Sequence, residues 1–302
     1  MSAGQDEPSP DGTGPASAVV RMMLGGQLRR LREAAGVTPD AAAWRIRASR
    51  SKISRMEHGR VGFKERDVSD LLDLYDVTDK QVIAGLLALA TQANAQAWWA
   101  KYGDILPGWF EPYLGLEAAA QRIRTFDLQF INGLFQTPAY ARAVTAIGLR
   151  RAPESEIERR VAIRMKRQEL LTTVGAPQVW SVIDEAALRR AVGGPEVMLE
   201  QIYHLIKIAR LPNVSLQVIP FRAGGHDAAG GSFTVLRFSQ PDIADVVYLE
   251  QLTGAQYLER RSDVDHYLDV INRLSAASLS PADTIAFFAE ITRQSAPPPS
   301  GP

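Results

Sequence analysis

The sequence predicts an α+β chain: an N-terminal all-α five-helix domain, then a larger mixed α+β domain with a small antiparallel or mixed sheet. Three observations carry this. Between residues 20 and 92 apolar residues recur at three- and four-residue spacing through consecutive short segments. Beyond residue 111, helical stripes and β-branched runs mix, with three strand candidates in succession. Charge divides the same way. Residues 21–66 hold 12 Lys+Arg against 4 Asp+Glu, a net of +8, and the remainder holds 22 against 30, a net of −8, although the whole sums to zero. A basic module joined to a larger acidic one is the electrostatic footprint of a polyanion-binding head.

Composition bounds the rest. At 302 residues the chain is long enough for two domains, and 46% apolar with 23% charged residues describes a soluble globular protein. Zero cysteines exclude disulfides, thiolate metal sites and cysteine nucleophiles, and fit a reducing cytoplasm. No apolar run is long enough for a membrane span, and no basic-then-apolar leader opens the chain. Residues 1–19, rich in Gly, Pro, Ser, Asp and Ala, read as a disordered tail, and so do the Pro-rich residues 295–302. Between them we expect a head at 20–92, a linker and transition helix at 93–110, and the second domain at 111–294.

The first helix is expected from Met22 to Ala35, where Leu24, Leu28, Leu31 and Ala35 form one stripe and Gly36 stops it. Thr38-Pro39 opens the second with a capping hydroxyl and a proline at the first helical position. Ala41, Ala42 and Ala43 are small enough for another helix to approach closely, and Arg47-Ala48 breaks the segment. The third spans residues 49–59. At 100° per residue Ile53 and Met56 fall on one side, and Ser51, Ser54, Arg55 and His58 on the other, with Arg50 and Lys52 on the flanks. Ser49 can cap its start and Gly59 its end. Such a helix is commonly just a solvated surface element. Placed after a short helix and a tight turn, however, it makes a helix-turn-helix whose donor-rich front fits the major groove of double-stranded DNA. Stripes at Val68, Leu71, Leu72, Tyr75 and at Val82, Ile83, Leu86, Leu87, Ala90 supply helices four and five.

Several spaced blocks in residues 22–80 resemble the Xre/Cro-type DNA-binding domain: Leu24-Gly25, Leu28 to Arg32, Gly36-Val37-Thr38 and Ser51 to Gly59. The resemblance implies that Arg50, Ser51, Ser54 and Arg55 meet base edges and that Lys52, Thr38 and Arg60 touch phosphates. It also implies a structural salt bridge between Arg32 and Glu57. Because one short helix reads only a few base pairs, binding as a homodimer to two-fold sites is expected. Glu57 lies toward the apolar back of its helix, which independently calls for a cationic partner. Two residues depart from the family pattern. Arg47 stands where a turn glycine is usual, so it adopts a strained turn or extends a helix, and Ala42 replaces a larger residue, leaving a volume for Trp44 to fill.

In the second part, Ala93 to Tyr102 reads as helical, and Trp98, Trp99, Trp109 and Phe110 read as core rather than pocket. Helices are expected at 114–120, 138–147 (capped by Thr137), 154–171, 184–191, 195–209, 263–274 and 281–293, and strands at 122–130, 179–183, 214–219, 232–238 and 246–250. Glu117-Ala118, Ile123-Arg124, Gly133 to Arg142, Gly193-Gly194, Gln201 with Leu205, Leu211 to Val214, Val218 to Pro220, and Gly231 with Phe233 resemble the uncharacterised C-terminal domain of actinobacterial Xre-type regulators, with Asn132 standing where proline is common. That resemblance implies a regulator of development or specialised metabolism, with an antitoxin-like pairing to a small protein encoded nearby. With the cysteine-free composition and a DNA-binding head, a nucleoid-associated cytoplasmic location is expected. A small-molecule effector is the other partner such a domain could sense.

Catalytic chemistry finds little support. His58, His204, His226 and His266 show no zinc-ligand spacing, and no nucleophile elbow or phosphate loop is present, so no catalytic residue, metal or cofactor is expected. Asp184-Glu185 reads as a helix cap with its first turn, and His226 sits in a Gly-rich connector. A protein-interaction module with secondary DNA binding is the alternative to a regulator, and an enzyme carrying a DNA-binding head is the weakest reading.

Overall fold

The structure, a computed structural model, describes residues 15–57, 61–94, 98–239 and 244–295. Two compact units divide the chain, Met1–Ala119 and Ala120–Pro302. Among the described residues no helix is long and apolar enough to cross a membrane.

The first unit contains α1 (Pro15–Ala34), α2 (Pro39–Arg45), α3 (Arg50–Glu57), α4 (Glu65–Leu74), α5 (Lys80–Asn94) and α6 (Glu111–Ala119). The sequence reading left residues 1–19 without structure. Instead α1 begins at Pro15, because proline at the first helical position and the alanines after it favour helix before the apolar stripe starts. Residues 1–14 and 296–302 lie outside the described residues. Leu24, Leu28, Ile53, Met56, Val68, Leu71, Leu72, Leu86 and Ala90 form one buried cluster. Of the helix expected from Ala93 to Tyr102, Ala93 and Asn94 belong to α5, residues 95–97 lie outside the described residues, and Ala100–Tyr102 is a single 3-10 turn instead of α-helix. Trp99 beside it is buried, with Trp98 edge-on at 5.3 Å. The α6 segment, assigned from sequence to the second domain, packs along α1 inside the first compact unit.

Three of these helices end alike. After α1 the Val37 N–H donates to Arg32 O and Gly36 N–H to Glu33 O. After α2 the Ala48 N–H donates to Ala43 O at 2.8 Å and Arg47 N–H to Trp44 O at 3.1 Å, and after α4 Val77 and Asp76 repeat the pattern. This is the Schellman motif, which needs a left-handed residue just past the helix. Gly36 meets that at φ +65 without strain, whereas Arg47 (φ +52) and Asp76 (φ +56) do so at a cost of roughly 1 kcal/mol each. Arg47 thus takes the strained turn. The residues that follow, Val37, Ala48 and Val77, pack against the core and hold the turns closed.

The second unit is built on a six-stranded mixed sheet of order β3-β2-β1-β4-β5-β6, from β1 (Arg122–Asp127), β2 (Gln178–Asp184), β3 (Val214–Ile219), β4 (Phe233–Arg237), β5 (Val246–Gln251) and β6 (Gly254–Leu258). The first three strands run parallel and the last three antiparallel. The β1–β2 connection carries α7 (Pro138–Gly148) and α8 (Glu154–Gln168), and the β2–β3 connection carries α9 (Glu185–Arg189) and α10 (Pro195–Ile208). After the sheet come α11 (Arg261–Ala277) and α12 (Pro281–Ser295). Val264, Val270, Ile271 and Leu274 of α11 bury Phe126, Val182, Phe233, Val235 and Val247 of the sheet. The turn Gly133 to Pro138 is held by glutamines: Gln201 Nε2 donates to Phe135 O and its Oε1 accepts from Thr137 N–H, both at 2.7 Å. The α+β expectation holds, and the sheet is mixed. It has one strand more than the sequence shows, because β6 (Gly-Ala-Gln-Tyr-Leu) lacks a β-branched run and pairs only through the tight turn at Leu252-Thr253.

Candidate nucleic-acid interface

The interface is built from α2, its turn and α3. Thr38 Oγ1 accepts from Ala41 N–H at 3.2 Å to start α2, and Ser49 Oγ accepts from Lys52 N–H at 3.2 Å to start α3. Ala42 and Ala43 are buried and let the two helices meet closely. Trp44 does not fill the space beside Ala42: it is 84% exposed, while Ala42 itself is fully buried. Ile53 and Met56, each 1% exposed, anchor the back of α3.

With that back fixed, Arg50, Ser51, Ser54 and Arg55 are all exposed on the front. Arg55 Nε donates to Ser51 O at 3.4 Å, and Arg50 Nη1 stands 3.8 Å from Asp40 with both side chains about 70% exposed. Ser51 Oγ lies 2.8 Å from Ser49 Oγ. Eight helical residues span about 12 Å, close to the width of a B-DNA major groove. Of the residues assigned to phosphates, Thr38 is exposed beside α2, whereas Lys52 Nζ lies 2.7 Å from the Asp67 carboxylate and is tied to the first turn of α4. Arg60, His58 and Gly59 lie outside the described residues. Arg47, passed over as a mere departure from pattern, is exposed at the left-handed turn directly before α3.

The charge of the head is smaller than the window 21–66 indicates. Over residues 20–92 there are 13 Lys+Arg and 9 Asp+Glu, a net of +4, because α4 and its flanks carry Asp67, Asp70, Asp73, Asp76 and Asp79. Asp67, Asp70 and Asp73 engage Lys52, Arg45 and Arg66, leaving the positive field to the α3 face and its turn.

Two features fix α3 from behind. Arg32 Nε donates to Glu57 at 2.6 Å and its Nη2 at 3.1 Å, while Nη1 donates to Val37 O at 2.9 Å. Both side chains of the pair are under a tenth exposed. The Glu57 hydrogen bond holds the Arg32 guanidinium above its usual pKa, and burial pushes up that of the neighbouring Tyr75 phenol. At Gly25 a Cβ would lie 2.3 Å from Met56 O, so α1 crosses the end of α3 backbone to backbone.

In the second unit, Asp184 caps α9 through Oδ1 (2.7 Å to Ala186 N–H), and its Oδ2 lies 3.2 Å from His226 Nε2. His226 Nδ1 accepts from Ala228 N–H at 3.3 Å, so Nε2 carries the proton and donates to Asp184. Both nitrogens therefore serve to pin the glycine-rich connector. A buried acid that the sequence reading passed over is Asp127, at the end of β1, accepting from Thr125 Oγ1 at 2.9 Å and Ser181 Oγ at 3.0 Å. Burial pushes its pKa from 3.8 up to about 6, against the pull of these donors. A raised carboxyl contributes stability that is fully present below about pH 4 and is lost as pH rises through 6. Asp127→Asn should accordingly gain about 2 kcal/mol on wild type between those pH values, read by urea unfolding across the range. Parallel pH profiles for the two proteins would contradict it.

Residues 23–83 match the family described as a helix-turn-helix domain, and residues 110–290 match the domain of unknown function DUF5753. No curated protein and no solved structure matches the chain. The helix-turn-helix match covers α2, its turn and α3, the fold of DNA-binding regulators, so the chain has a DNA-binding domain in front of its mixed-sheet domain. With the larger match spanning more than half its length, the chain belongs to the DUF5753 family.

Proposed function

We propose that this protein is a sequence-specific, Xre-type transcription regulator that lays α3 in the major groove as a homodimer, while its second unit senses a small molecule or a small protein partner. The observation that carries it is the α3 face: four exposed donor side chains on a helix whose other side is locked by Ile53, Met56 and Glu57. Arg50, Ser51, Ser54 and Arg55 meet base edges, with arginine suited to the O6 and N7 of guanine. Thr38 and Arg47 meet phosphates, and Lys52 orients α3 on α4 through Asp67. One short helix reads few base pairs, so a second copy one turn away, roughly 34 Å, supplies the remaining specificity.

Gel-shift titrations on a selected site and its single-base variants test this. Arg55→Ala should weaken specific binding by about 1–3 kcal/mol and relax one base position. Arg47→Ala should weaken binding to every sequence alike and flatten the salt dependence by about one counterion. Full sequence preference retained in Arg55→Ala would remove that residue from base reading.

A further inference from the structure

The second unit carries an arginine cluster that works against its own sheet. In the β1–β4 ladder Arg122 stands directly opposite Arg237, and Arg124 stands opposite Val235 two residues further along. In the β1–β2 ladder Arg124 is opposite Trp180, its guanidinium 5.5 Å from the indole centre. Arg122, Arg124, Val235, Arg237 and Leu268 together line a shallow depression of about 10 Å³. Among the described residues, one carboxylate answers the three guanidiniums: Asp245, 2.8 Å from Arg237 Nε. Arg124 donates instead to the neutral Asn272, at 3.0 Å.

Like charges directly opposite in an antiparallel pair destabilise a sheet. Burial, with Arg237 and Arg122 close by, lowers the Arg124 pKa, so the cations meet at real electrostatic expense. An anion seated between them would reverse the sign of that interaction. We propose that this arginine cluster binds the phosphate monoester of a small molecule, seated across the mouth of the depression rather than within it. Among the described residues, three guanidiniums less one carboxylate leave a charge of +2, which a phosphate monoester dianion matches and a carboxylate does not. Guanidinium forks pair with phosphate oxygens in two-point contacts. The organic part of the ester would lie against Leu268 and the partly exposed Trp180, whose ring is held by its Nε1 donating to Gln217 Oε1 at 2.7 Å. This rests on the sensing role proposed for the second unit and gives it a place and a ligand class; its main readout, phenyl phosphate binding, involves no DNA, so its failure leaves the reading of the head untouched.

The probe is phenyl phosphate, titrated calorimetrically into the full-length protein at constant ionic strength, with benzoate as the monoanionic comparison. Saturable binding is expected, roughly tenfold tighter than benzoate, with Arg122→Gln and Arg237→Gln each weakening it by about tenfold. In phosphate-free buffer Arg122→Gln should also raise the melting temperature, because it removes the cross-strand repulsion; an arginine kept only for structure would lower it. The proposal is overturned by the absence of saturable heat, by unchanged affinity in both variants, or by a lower melting temperature for Arg122→Gln. Loss of random-sequence duplex binding in Arg122→Gln, with no phenyl phosphate binding to wild type, would overturn it in favour of a nucleic-acid backbone contact.

Discussion

Arg32→Met is expected to destabilise the helical head by about 3–5 kcal/mol, the range for removing one partner of a buried ion pair. The substitution leaves the Glu57 carboxylate, itself under a tenth exposed, with no cation at 2.6 Å. It also frees Val37 O, which closes the turn between α1 and α2. The double variant Arg32→Met with Glu57→Leu should recover most of the loss, since it buries apolar groups in place of two charges. Urea unfolding followed by helical circular dichroism separates these outcomes. A cost below about 1 kcal/mol for the single variant would place the pair among solvent-screened surface bridges.

Gly25→Ala is expected to cost about 2–3 kcal/mol, the upper part of the usual range for overpacking. The added methyl would meet Met56 O at 2.3 Å and Glu57 O at 2.8 Å, and both obstacles are backbone of the helix that presents the donor face. Relief therefore requires moving α3, so DNA affinity should fall even where the protein remains folded. Gly26→Ala is the control. Its Cβ meets nothing within 4 Å, and a helix-interior glycine replaced by alanine should gain about 0.5–1 kcal/mol. Equal effects at the two glycines would contradict the close crossing of α1 and α3.

The head was legible because its signals are local. Leu24, Leu28, Ile53 and Met56 recur at helical spacing and are buried, and Thr38 and Ser49 cap where a hydroxyl before a helix should. Thr137 and Asp184 do the same in the second unit. What the sequence hid depends on residues far apart in the chain. The ion pairs of Lys52 with Asp67 and of Arg45 with Asp70 and Asp73 cross between helices, so a charge count ending at residue 66 overstated the field of the head. Trp44 looked like core by its size, but its position on α2 faces water. Asp127 and the Arg122–Arg237 pair acquire meaning only from the strand order, which brings β1 between β2 and β4. The β6 edge escaped notice because backbone pairing with β5, rather than side-chain pattern, makes it a strand.

The most direct test of major-groove reading is methylation interference on a duplex the protein itself selects from a random pool. Guanine N7 faces the major groove and adenine N3 the minor. Methylation at N7 within each half-site is expected to abolish binding by wild type, and Arg55→Ala is expected to lose that sensitivity at one guanine per half-site. Binding blocked by methylated adenine N3 but indifferent to guanine N7, or a pool that yields no preferred sequence, would contradict the role assigned to α3.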